Sequence, residues 1–118
     1  MEPKSYSLNR LNDMSQGDKE FVQSMLVMFV ENVINSIDMI RPLKTAENWR
    51  AIGEIAHKLA SNFAYLDSGS LQEIAIDIER STLIHNNLTG IADKIEKMCN
   101  DAVILVTQIK SDFDFFNT

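Results

Sequence analysis

Apolar residues recur along this chain with the period of an α-helix. From about Asp18 to Leu43, the residues Phe21, Met25, Phe29, Val33, Ile37 and Ile40 follow at spacings of four and three. A parallel row, Val22, Leu26, Val30 and Ile34, widens the apolar arc beyond that of a plain amphipathic helix. Ser15 and Asp18 offer starts for this helix, and Leu8 to Met14 has room for one short helical turn before it. A second segment runs from about Glu47 to Leu66, with Trp49, Ile52, Ala56, Leu59, Phe63 and Leu66 as its stripe. A third, Leu71 to about Leu83, buries Leu71, Ile74, Ala75 and Ile78, and Ser70 with Glu73 reads as a capping box. The fourth runs from about Ile91 to Phe113 on Ile91, Ile95, Met98, Ala102, Leu105, Ile109 and Phe113, with Thr89 as its cap. No alternating run is long enough for a strand.

Punctuation agrees with this division. Pro3 sits in the N-terminal tail, and Pro42 falls where the first long helix should end or bend. Gly17, Gly69 and Gly90 lie between periodic segments, whereas Gly53 lies inside one. Four amphipathic helices with short connections predict an all-α fold, an antiparallel four-helix bundle with a short N-terminal helix, as a single domain over 1–118.

Composition narrows the function. The chain has 118 residues, 45% hydrophobic and 24% charged, the make-up of a globular domain rather than a disordered chain. Its apolar runs are too short to span a bilayer. Met1 to Ser7 has neither the basic nor the apolar part of a secretory signal, and a lone cysteine, Cys99, allows no internal disulfide, so a cytoplasmic location is expected. Met1 and the polar end at Asn117 and Thr118 suit a free-standing protein. Seventeen acidic residues against 11 basic give a net charge of −6, which argues against nucleic acid and against anionic membranes and points to a protein partner.

Conventional catalytic motifs are missing from the sequence. There is no CxxC, HExxH, GxSxG or glycine-rich phosphate loop, and no metal set is expected from two distant histidines and one cysteine. Cys99, beside Met98, reads as a small packing residue, and His85 as a residue near a helix C-terminus. His57 stands apart. At about 100° per residue it lies off the stripe of its helix, and its helical neighbours are small: Gly53 one turn before, Ala60 and Ser61 one turn after, Ala64 two turns after. A histidine on a rigid helix with cleared surroundings is a reachable nucleophile. The same small residues also permit close helix packing, with His57 as an ordinary surface residue.

The stretch Ile55-Ala56-His57-Lys58-Leu59, followed by Tyr65-Leu66 and Leu71-Gln72-Glu73-Ile74-Ala75, resembles the core of a histidine-containing phosphotransfer (HPt) domain. Tyr6-Ser7-Leu8 and Asp18-Lys19-Glu20-Phe21 are similar to the start of such domains, so the resemblance covers nearly the whole chain. It implies a phosphocarrier in a two-component phosphorelay, with His57 taking a phosphoryl group on Nε2 from a receiver phospho-aspartate and passing it on. It places an orienting polar side chain at about Glu79, and it leaves Mg²⁺ to the receiver, with no cofactor on this chain. Where the family has a lysine and then a glycine after the histidine, this chain has Ala60 and Ser61. Lys58, Arg50 and Ser61 are the remaining candidates to meet a phosphate.

The expected partners are a response-regulator receiver and a hybrid histidine kinase. The expected docking face is an exposed part of the row Val22, Leu26 and Val30, near His57 with Gly53, Ala60 and Ala64. Two other readings belong beside this one: an HPt-like adaptor that binds a receiver or kinase without efficient transfer, and a helical bundle that dimerises through its helix faces.

Overall fold

A computed structural model describes residues 5–117; Met1, Pro3 and Thr118, which carry the readings of the chain ends, lie outside them. All regular structure among the described residues is helical: α1 (Asn9–Ser15), α2 (Lys19–Thr45), α3 (Trp49–Tyr65), α4 (Gly69–Leu83), α5 (Ile91–Asp112) and a closing 3-10 turn at Asp114–Asn117. α2 packs on α3, α3 on α4, α4 on α5, and α5 back on α2, so the four long helices close a ring, with α1 lying on α2. At 1.5 Å per residue α2 is about 40 Å long, which matches the 42 Å longest dimension of the molecule.

The stripes of α3 and α5 fall in the core as their spacing predicts: Ile52, Ala56, Leu59, Phe63 and Leu66 from one, Ile91 through Ile109 from the other. α2 differs by one position. Val22, Leu26, Phe29, Val30, Val33, Ile37 and Ile40 are buried, while Phe21 is exposed and Met25 half-buried. Leu26 is only 1% exposed and Val22 and Val30 are buried with it, so the predicted docking row is core. The wide apolar arc of α2 exists because α2 touches both α3 and α5. The side it leaves bare is the other one, Phe21 and Met28.

Of the expected helix starts, Asp18 holds and the later ones shift. Asp18 caps α2, its carboxylate accepting from the backbone N–H groups of Glu20 and Phe21. α2 continues three residues past Pro42, which sits in its last turn, where a missing N–H removes one intrahelical bond. α4 begins at Gly69 behind Ser68, so Ser70 is already inside the helix and makes no capping box. Ser68 is buried, and its hydroxyl donates to the Ser5 carbonyl at 2.6 Å. Gly90, not Thr89, precedes α5, in the left-handed conformation that glycine tolerates. Cys99 is buried, and burial pushes its thiol up, which suits a packing residue.

Gly53 is buried on α3 directly beneath α4. A Cβ at this position would stand 1.9 Å from Thr82 Oγ1 and 3.0 Å from Thr82 Cβ and Leu83 Cγ. Gly53 is therefore a point of close approach between the two helices and not part of an open docking face. Its cost in helix propensity, about 1 kcal/mol relative to Ala, is offset by what that approach brings together.

Residues 5–8 tie the two ends of the molecule. Ser5 donates from N–H and Oγ to Gln108 Oε1, Ser7 N–H donates to the Leu66 carbonyl, and the Tyr6 hydroxyl donates to Asp112 Oδ2 at 2.5 Å. Burial, together with the neighbouring Asp112 carboxylate, holds the Tyr6 phenol well above its ordinary range.

Two expectations follow from this packing. Gly53→Ala lowers stability by about 1–2 kcal/mol in urea unfolding, because overpacking outweighs the propensity gain, and the loss shrinks in a Thr82→Ala background; a stabilised Gly53→Ala protein would contradict the close approach. Tyr6 is neutral in the fold, so its contribution is present below the unfolded value of about 10 and is lost as pH rises through its higher folded value. Tyr6→Phe costs about 1–2 kcal/mol at neutral pH, and the difference from wild type narrows above that value.

Candidate functional site

The close approach at Gly53 sets the register of the two helices. One turn on from Gly53 along α3 is His57, and one turn back from Leu83 along α4 is Glu79. Their side chains meet, with His57 Nδ1 2.6 Å from Glu79 Oε1. A carboxylate only accepts, so Nδ1–H donates to Glu79, and in the neutral ring Nε2 keeps its lone pair. The His57 side chain is 68% exposed and that of Glu79 23%: the ring stands in solvent while its anchor is recessed in the seam. This is the arrangement of a histidine whose ring is oriented by a carboxylate through one of its two nitrogens.

The surroundings sort the remaining predicted residues. Ala60 and Ala64 are half-buried on α3 and present little bulk beside the ring, and Ser61 is exposed one turn after it. Lys58 is exposed and makes no ion pair with a described residue. It leaves the helix about 100° round from His57. Arg50 is engaged with Glu54 one turn on, Nε to Oε1 4.0 Å, both widely exposed; such a pair is weak and breaks easily. Glu79 thus touches the ring, Glu54 stands one turn before it on α3, and two surface cations lie within the same stretch of that helix. His85 is exposed beyond the end of α4, in the link to α5.

The structure brings together His57, Glu79, Ala60 and Ala64 along the α3–α4 seam and takes Val22, Leu26, Val30 and Gly53 out of the surface. Thr82 was missed by the sequence reading. The signal for it was Gly53 itself, because a glycine inside a helical stripe implies a partner pressed against it. The outer row, with Phe21 and Met28 exposed and Met25 half-buried, was missed because two apolar rows one residue apart cannot be ranked by periodicity alone. Phe29 of the same helix stacks on Tyr65 of α3 at 5.3 Å between ring centroids, and Arg10 lies over the other side of this pair, 5.6 Å from the Tyr65 centroid, while donating to the Ala64 carbonyl.

Among the described residues, no group of three or more His, Cys, Asp and Glu is arranged to hold a metal, and no helix is long and apolar enough to cross a membrane. No family model, characterised protein or solved structure matches the chain.

The geometry gives a chemical expectation independent of any partner. Diethyl pyrocarbonate acylates an unprotonated imidazole nitrogen. Replacing Glu79 by Ala removes the acceptor that orients the ring, so acylation of His57 slows several-fold while that of His85, read by mass spectrometry in the same sample, stays constant. Equal rates at His57 with and without Glu79 would show that the contact does not govern its nucleophilicity.

Proposed function

We propose that this chain is a phosphocarrier of the histidine-containing phosphotransfer type, acting in a cytoplasmic two-component phosphorelay with a receiver domain and a hybrid histidine kinase as partners. The observation that carries the reading is the Nδ1–Glu79 bond, which leaves Nε2 as the outward nucleophile on a rigid helix. The resemblance of the sequence around Ile55–Leu59 supports it, and so does the closed ring of four long helices joined by short links, which suits an antiparallel bundle.

In this reading the Nε2 lone pair attacks phosphorus in the receiver's aspartyl phosphate. The N–P bond forms as the P–O bond to the aspartate breaks, and the aspartate leaves as its carboxylate. Positive charge developing on the ring is shared through Nδ1–H with Glu79, which also fixes the ring's orientation. Return transfer reverses these bonds. Mg²⁺ travels with the receiver's aspartate, and no residue of this chain is assigned to it. The three oxygens of the phosphoryl group, carrying close to two negative charges, meet Ser61 on the same face and draw on Lys58, or on Arg50 if it leaves Glu54. Ala60 and Ala64 keep the approach open. The receiver's docking surface is assigned to the exposed Phe21 and Met28, with half-buried Met25 between them, instead of Val22, Leu26 and Val30.

A second reading, an adaptor that binds a receiver or kinase without efficient transfer, is favoured by one observation: the half-buried Ala60 brings no cation, while the carboxylate of Glu79 touches the ring and Glu54 stands one turn before it.

Transfer from a panel of radiolabelled phospho-receivers separates the two. The phosphocarrier reading expects label on wild type, none on His57→Gln, and an equilibrium shifted toward the histidine in Ala60→Lys by about fivefold, the value of one charge-assisted hydrogen bond at a half-exposed site. Binding without label on wild type establishes the adaptor instead, and label persisting on His57→Gln removes His57 from the mechanism.

A further inference from the structure

Across the ring from the α3–α4 seam lies the seam between α2 and α5. It holds an open groove lined by Ile34, Ile37, Val103 and Val106, with Thr107 at one end and only two charged side chains, Asp38 and Arg41. Val103 is 45% exposed and Ile34 half-buried, so the groove leaves apolar surface in water. Asp38 and Arg41 sit three residues apart on α2, both exposed, and neither forms an ion pair with a described residue, although this spacing permits one.

A partner that fills this groove must offer an apolar surface carrying one acid and one base about a turn apart, in reversed order. The groove itself meets that requirement when turned about a two-fold axis: Asp38 of one copy faces Arg41 of the other, and Arg41 faces Asp38, with Ile34 and Val103 flanking the two pairs. Isologous pairing uses each complementary contact twice, and desolvation beside apolar side chains strengthens both. We infer that the α2–α5 face is the interface of a two-fold homodimer held by reciprocal Asp38–Arg41 pairs flanked by apolar side chains. The inference does not depend on the phosphocarrier reading. It places the two His57 rings on opposite outer sides of the dimer, both open to partners.

Sedimentation equilibrium over a concentration series reaching the millimolar range tests this with the full chain. Wild type shows a monomer–dimer equilibrium. Arg41→Asp sets acid against acid at both pairs and raises the dissociation constant by about tenfold or more, and Asp38→Arg does the same with base against base. The double variant Asp38→Arg with Arg41→Asp restores the wild-type constant, because the swapped charges are again complementary. Circular dichroism verifies that each variant is folded, and the recovery of the double variant shows that the losses came from charge and not from unfolding. A wild type that stays monomeric throughout overturns the inference. So does a dimer whose constant is indifferent to either single change, or one that the double change fails to restore.

Discussion

The contact on which this structure turns is the close passage of α3 over α4 at Gly53. Only a residue without a side chain fits beneath Thr82 and Leu83, and the helices approach there nearer than ordinary side chains allow. Because both helices are rigid, that one contact fixes what happens a turn away, where Glu79 arrives within 2.6 Å of His57 Nδ1. Separating the helices by the width of a methyl group would lengthen this bond beyond hydrogen-bonding range. A packing residue thereby controls the tautomer of a surface imidazole. The helical penalty of Gly53 is thus a cost carried in the core for a geometry displayed in the seam.

The fold was largely legible because burial along a helix repeats with a period that the sequence shows directly. α3 and α5 each carry a single stripe, and each is buried as read except at the end residues Trp49 and Phe113, which are half-buried. α2 carries two adjacent rows, and its position between α3 and α5 decides which is core. That decision belongs to tertiary packing, so Leu26 was assigned to the surface and Phe21 to the interior. Asp18 caps α2 as read, whereas the start of α4 was misplaced for a related reason. The Ser70 and Glu73 pattern is real in sequence, but Ser68 is drawn into a long-range bond with Ser5, and α4 starts earlier than a local signal can reveal.

At the site, the prominence of His57 was visible from the small residues around it, yet those residues do two jobs. Gly53 serves packing, while Ala60 and Ala64 border the ring. Spacing alone cannot divide them, since both jobs select against bulk. The pairing of His57 with Glu79 joins residues 22 positions apart and came from family resemblance, not from periodicity. The cation expected three residues after the histidine has no counterpart in the fold: Ala60 is half-buried, and Arg50, two turns earlier on α3, is engaged with Glu54. In the proposed chemistry the stabilisation of a bound phosphoryl group therefore rests on weaker, mobile surface charges, whereas the orientation of the nucleophile rests on a fixed contact.

The central claim is that Glu79 holds the proton on His57 Nδ1 and leaves Nε2 as the basic nitrogen. Long-range ¹H–¹⁵N correlation of the imidazole rings at a pH where they are neutral reads this directly, because protonated and bare ring nitrogens differ widely in ¹⁵N shift. The account predicts a His57 ring locked with Nδ1 protonated and Nε2 bare, and loss of that locking in Glu79→Ala while His85 is unchanged. A His57 ring in the Nε2-protonated form, or one averaging between tautomers in the wild type, would contradict it.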